Sequence, residues 1–171
     1  MTRLKASFPP VVRADARLLV LGSLPGERSL AERRYYAHPQ NQFWALMSPV
    51  AGRDLTALAY DARLAALMDA RIALWDVVAT ARRTGSGDAT IRDVAANDLA
   101  ALVARLPDLR AVAFNGGKAH AIGSKQLAGS PLPQVALPSS SPLHTVGVAA
   151  KQPAWAALKA YLQATGSIAT N

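Results

Sequence analysis

Short continuous apolar runs alternate along this chain with stretches whose apolar residues recur every three or four positions. Ala16-Arg17-Leu18-Leu19-Val20-Leu21-Gly22 reads as a buried strand that breaks at a glycine. Asp54 is placed to cap a helix running to about Asp69, with Leu55, Leu58, Leu64 and Leu67 at helical spacing. Ile72 to Val78 predicts a second buried strand. Asn97 then caps a helix that ends before Pro107, its inner face formed by Leu99, Leu102, Val103 and Leu106. Ala111 to Phe114 predicts a third strand, Gly116-Gly117 opens a helix to about Leu127, and Val135 to Leu137 predicts a short fourth strand. A last helix is expected from about Gln152 to Ala164, with Trp155, Leu158 and Leu162 on one side.

Four apolar strands separated by helices predict a three-layer α/β/α domain, one unit over residues 1–171, around a central, mainly parallel four-stranded sheet. In such sheets ligands sit outside the carboxyl ends of the strands. The segments expected to leave those ends are Gly22 to Gly26, Ala81 to Gly87, Asn115 to Lys118, and Pro138 to His144. All four are rich in Gly, Ser, Pro or cations. Such turns offer backbone N–H groups, hydroxyls and helix N-termini, which suit phosphate. Arg82, Arg83, Lys118, Ser139, Ser140 and Ser141 are therefore the expected phosphate contacts.

Composition narrows the chemistry. Half of the residues are hydrophobic (51%) and 18% are charged, which fits a packed core rather than a disordered chain. Cysteine is absent, so disulfides, thiolate metal sites and a cysteine nucleophile are excluded. Three histidines and two glutamates beside nine aspartates make a dense metal site unexpected. No apolar stretch approaches the ~20 residues of a membrane span, and the first residues lack the apolar core of a secretory leader. A cytoplasmic, nucleoid-associated protein is expected, monomeric by default, with no metal and no cofactor.

The net charge is +8, and it is unevenly spread. Residues 1–34 hold seven basic and three acidic residues, residues 35–110 hold eight of each, and the last 61 hold four lysines and no acid. Segmental basic excess points to a polyanion, nucleic acid first. The sequence Gly22-Ser23-Leu24-Pro25-Gly26 is neither a P-loop nor a dinucleotide fingerprint, so a nucleotide cofactor is not indicated. No lipase-type nucleophile elbow is present.

The most distinctive stretch is Tyr35-Tyr36-Ala37-His38-Pro39-Gln40-Asn41-Gln42-Phe43-Trp44. Aromatic faces with amide side chains suit a flat heterocycle, which stacks on a ring and hydrogen-bonds along its edge. Phe43 and Trp44 begin a helix and are expected in the core, whereas Tyr36 and Asn41 precede it and should lie near Gly22.

These residues resemble the uracil-DNA glycosylase superfamily. The first loop, the aromatic segment, Phe114-Asn115-Gly116-Gly117-Lys118 and Leu137-Pro138-Ser139-Ser140-Ser141-Pro142 follow its order and spacing over nearly the whole chain. The mismatch-specific uracil/thymine branch carries a catalytic asparagine at the third position of the first loop, where this chain has Leu24. The hypoxanthine-DNA glycosylase (DNA-deoxyinosine glycosylase) group is more similar: it shares Gly-Ser-Met/Leu-Pro-Gly, the Tyr-Tyr-Ala-His-Pro segment, Leu74-Trp75-Asp76-Val77 and the stretch from Arg83 to Asp88. The superfamily's leading His or Asn of the fourth loop is Leu137 here.

The resemblance implies a monofunctional DNA repair glycosylase that flips out deaminated bases, hypoxanthine first and uracil weakly, and hydrolyses the N-glycosidic bond. It implies Asn41 as the catalytic group and Asn115 as a base-recognising one. Gly22 and Ser23 are expected to bond the base edge through backbone N–H groups, and Tyr36 to stack on its face. Superfamily members place a wedge residue near Leu143, an apolar side chain on a polar loop, to fill the gap in the stack. The alternative for Leu143 is a local anchor tucked beneath the loop. Other readings stay open: a mismatch-specific uracil/thymine glycosylase, a non-catalytic nucleic-acid-binding module on the same scaffold, and a hydrolase of free nucleosides.

Overall fold

The computed structural model describes residues 4–163. Four strands, β2 (Leu18–Gly22), β3 (Ile72–Asp76), β6 (Ala111–Asn115) and β7 (Gln134–Leu137), form an all-parallel sheet in the order β3-β2-β6-β7. A second, antiparallel sheet in the order β1-β4-β5 joins β1 (Leu4–Ala6), β4 (Val78–Arg82) and β5 (Arg92–Ala96). The remaining elements are α1 (Glu27–Glu32), α2 (Phe43–Ala51), α3 (Tyr60–Asp69), α4 (Leu99–Ala104), α5 (Gly117–Gln126) and α6 (Val148–Ala156), with a 3₁₀ turn at Asp88–Thr90 and another at Ala157–Tyr161.

The two-residue period of the strands divides the interior into two cores. Leu18, Val20, Ile72, Leu74, Ala111 and Ala113 face the cluster that α2 and α6 close with Phe43, Trp44, Met47 and Trp155. Their neighbours Leu19, Leu21, Ala73, Val112 and Phe114 face a second cluster that includes Leu99, Leu102 and Ala119. Burial on both faces explains why these strands read as unbroken apolar runs. Gly123 lets α5 lie close on this sheet: a Cβ there would sit 2.3 Å from Phe114 Cε1.

The chain runs from β2 outward to β3 and later returns to β6 on the other side of β2. The order therefore reverses between β2 and β6, and a crevice opens at their carboxyl ends. Gly22 and Asn115, the last residues of these two strands, stand at its base.

Several boundaries differ from the sequence reading. The run Ile72 to Val78 is two strands in two sheets, because the chain leaves the parallel sheet at Val77, whose N–H donates to Gly22 O at 2.8 Å. The loop from Ala81 to Gly87 consequently follows an antiparallel strand, not one of the parallel sheet. Asp54 caps a turn instead of a helix: its Oδ1 accepts from Thr56 N at 3.0 Å, and α3 starts only at Tyr60. Asp98 caps α4 by accepting from Ala101 N at 3.0 Å. Asn97 instead donates to Asp76 O at 2.7 Å and Val78 O at 3.3 Å, holding the junction of the two sheets. The last helix begins at Val148, and the expected helical end at Ala164 lies outside the described residues. No helix among the described residues is long and apolar enough to cross a membrane.

Candidate active site

The crevice deepens into a cavity of about 510 Å³. Its walls come from the loop after β2 (Gly22 to Gly26), the segment before α2 (Tyr36, His38, Asn41), the end of β3 (Asp76), Asn115 of β6 and the loop after β7 (Ser139 to His144). Residues far apart in the chain meet here because four parallel strands end side by side.

Tyr36 is held from several directions. Its backbone takes the left-handed conformation (φ 52°), rare for an aromatic residue. Its ring stacks on Phe43 with centroids 3.9 Å apart, and its carbonyl accepts from Trp44 Nε1 at 3.2 Å. Phe43 thus covers one face of the Tyr36 ring, which leaves at most the opposite face for a base. The hydroxyl accepts from Asn115 Nδ2 at 3.3 Å, and burial raises its pKa well above the ordinary phenol value. At neutral pH it is a hydroxyl.

Asn41 sits one residue before the N-cap position of α2. Its Oδ1 accepts from Phe43 N at 2.9 Å, which satisfies one free helical N–H and fixes the amide plane. An amide oxygen has a second lone pair, so this bond still leaves one acceptor position.

Asn115 is buried, and its amide is engaged. Ser140 N donates to its Oδ1 at 2.9 Å, while its Nδ2 donates to Ser140 Oγ at 2.9 Å and to Tyr36. Ser140 is therefore a buried clamp on Asn115, not the phosphate contact expected from its loop. Ser139 and Ser141 are half-buried and line the cavity, with Ser139 Oγ accepting from Ser141 N at 3.1 Å. Ser23 spends its hydroxyl on Asp88 Oδ1 at 2.7 Å.

The expected cation contacts separate. Arg83 is 1% exposed, and its guanidinium donates to Gly85 O at 2.8 Å, Leu24 O at 3.3 Å and Pro25 O. It pins the first loop from beneath and has no path to a phosphate. Arg82 is exposed and pairs with Asp93 at 3.6 Å. Lys118 lies half-buried in the first turn of α5. Leu143 is 64% exposed at the rim of the cavity, so it does not tuck under its loop.

Asp76, within Leu74-Trp75-Asp76-Val77, is a site residue that the sequence reading does not assign. Its carboxyl is buried beside Gly22, where a Cβ would lie 2.6 Å from Asp76 Oδ1. Asp76 Oδ2 is buried without a hydrogen-bond partner. Burial first, then the charge of Asp88, raises its pKa to about 7, against the opposing pull of Arg83. The available signal was an acid ending an otherwise apolar strand.

Residues 9–161 match the model of the Uracil DNA glycosylase superfamily, and the chain belongs to that superfamily. It is, by that membership, a DNA glycosylase. Among curated proteins it is 42% identical over 114 residues to the hypoxanthine DNA glycosylase of Methanosarcina barkeri, covering 67% of this chain and 72% of that one. It is 40% identical over 116 residues to the protein of the same name from Methanosarcina acetivorans, covering 68% and 73%. Its fold is similar to the solution NMR structure of a candidate uracil DNA glycosylase from Methanosarcina acetivorans, with a TM-score of 0.85 and 36% identity over 94% of this chain and 99% of that one.

Proposed function

We propose that this chain removes hypoxanthine from DNA by hydrolysing the N-glycosidic bond of deoxyinosine, with weak activity on uracil. The convergence of Asn41, Asn115, Tyr36 and the Gly22-Ser23 turn on one cavity carries this reading, together with the names of the curated relatives. A volume of about 510 Å³ is ample for one extruded purine nucleotide.

Bond cleavage builds oxocarbenium character on the sugar and negative charge on the departing base. Asn41 orients the attacking water through the free lone pair of Oδ1, its plane fixed by Phe43 N–H. The Gly22-Ser23 backbone and the Asn115 corner bond the base edge. Leu24, buried and only 7% exposed where the mismatch-specific branch has its asparagine, argues against that alternative. The reaction needs no covalent enzyme intermediate, so the strand stays intact at the abasic site. The protein acts on chromosomal DNA as a monomer.

Incubation with an inosine-containing oligonucleotide followed by alkali tests the reading. A nick at the inosine position only after alkali is the expected result. Binding without nicking would make the chain a nucleic-acid-binding module, and activity on free inosine alone would make it a nucleoside hydrolase.

A further inference from the structure

Asp76 closes β3 at the base of the cavity, and the mechanism above gives it no task. It is 4% exposed, and its Oδ2 meets no donor. The position of a Cβ on Gly22 would fall 2.6 Å from its Oδ1 and 2.9 Å from the Tyr36 hydroxyl, so glycine is what lets carboxyl and phenol share this corner. A buried carboxylate without donors is costly, whereas the neutral acid is tolerated and carries a transferable proton. The cavity is otherwise lined by amides, aliphatic hydroxyls and two phenols whose pKa burial raises. His38 and His144 also line it but are exposed, and Asp88 accepts the Ser23 hydroxyl, which leaves Asp76 as the buried carboxyl with an unpartnered oxygen. Leu137, at the end of β7, is packed in the core and offers nothing to a leaving base.

We propose that Asp76 is the general acid of the excision, handing its proton to N7 of the departing purine as the C1′–N9 bond breaks. The inference rests on the hypoxanthine reading above. N7 is the most basic ring nitrogen of a hypoxanthine nucleoside, and protonating it lets the base leave neutral. The C1′–N9 electron pair stays with the purine, the oxygen of the water held by Asn41 bonds to C1′, and the proton lost by that water restores the Asp76 acid through solvent. Deoxyinosine and water give an abasic sugar and hypoxanthine, with no other reactant consumed.

The surroundings fit that role. Burial and the charge of Asp88 keep the proton on Asp76 up to about pH 7, and Arg83 pulls the other way. Tyr35 and Tyr36 face it from the segment before α2, while Arg28, His38 and His144 belong to the same cavity.

The test is single-turnover excision from about pH 5.5 to about pH 9, using deoxyinosine and 7-deaza-deoxyinosine oligonucleotides with the wild type and Asp76→Asn. On deoxyinosine the wild-type rate should fall about tenfold per pH unit above about 7, as the acid form is depleted. Asp76→Asn should be ~100-fold slower at low pH and flat with pH. The 7-deaza substrate, which lacks the nitrogen that takes the proton, should slow the wild type similarly, and Asp76→Asn should slow it no further. An unchanged rate and pH profile in Asp76→Asn would overturn the proposal, as would an equal loss on both substrates. The 7-deaza comparison on the wild type needs no variant: equal rates on the two substrates would also overturn it. A wild type inactive on deoxyinosine but active on uracil would instead overturn the hypoxanthine reading on which the proposal rests.

Discussion

Asn115 and Ser140 are joined by two hydrogen bonds of 2.9 Å, one from the Ser140 backbone N–H to Oδ1 and one from Nδ2 to the Ser140 hydroxyl. The pair ties the end of β6 to the loop after β7. Ser140→Ala keeps the first bond and removes the second. It should cost about 1 kcal/mol in urea unfolding and slow excision roughly tenfold by loosening the amide. Asn115→Asp loses the donor to Ser140 and should change the ratio of hypoxanthine to uracil excision. An equal loss on both bases would assign Asn115 to loop geometry alone.

Asn41 couples helix capping to the site. Asn41→Ala should lower single-turnover excision by ~10²-fold or more, the scale of losing one placed polar group. It should also cost about 1 kcal/mol of stability through the bond to Phe43 N. Asn41→Ser retains a capping oxygen and separates the two effects. If Asn41→Ser were as active as the wild type, capping would be the whole role of the residue.

Leu143 stands out at the cavity rim, exposed at 64%. Truncation to alanine removes little buried surface, so thermal stability should stay within about 0.5 kcal/mol. Duplex excision should slow while single-stranded inosine DNA is processed almost as before, because only the duplex has a stack to hold open. Comparing rates on the two substrates checks this; a matched loss would exclude a wedge.

Arg83 and Lys118 should behave oppositely. Arg83→Ala strands the Leu24 and Pro25 carbonyls of the first loop and should cost roughly 2–4 kcal/mol in urea unfolding. Lys118→Ala should leave stability unchanged and lower the salt dependence of binding to inosine DNA by about one counterion. A salt series on both proteins, with a melt of each, distinguishes a buried pin from a phosphate contact.

Asp76 makes stability depend on pH. Its folded pKa of about 7 lies above the ordinary 3.8, so between these values the native state holds a proton that the unfolded chain releases. Stability from this group is therefore lost as pH rises through that window, by at most about 1.4 kcal/mol per pH unit. Asp76→Asn removes the effect and should be relatively more stable at about pH 8 than at about pH 5. Urea unfolding of both proteins at the two pH values measures it, and an unchanged difference would mean that native Asp76 is ionised throughout.

The sequence by itself determined the four parallel strands, the α/β plan and three loops at the carboxyl edge, those after Gly22, Asn115 and Leu137. Unbroken apolar runs bounded by glycine and proline are local signals, and burial on both faces leaves them little alternative. It also marked the aromatic segment, because four aromatics in ten residues are conspicuous in a chain that is 6% aromatic. Tertiary structure alone decided what each polar group does there. Arg83 and Ser140 look like phosphate ligands in the sequence, yet each is buried with backbone or amide partners far away in the chain. The second sheet was illegible because β4 continues the apolar run of β3, and its turn away depends on Asn97 holding the junction from 21 residues along the chain. Asp76 is one aspartate among nine until the fold closes over it. Its chemistry comes from burial, from Asp88 and from the lack of a donor, all consequences of side chains brought together only when the strands align.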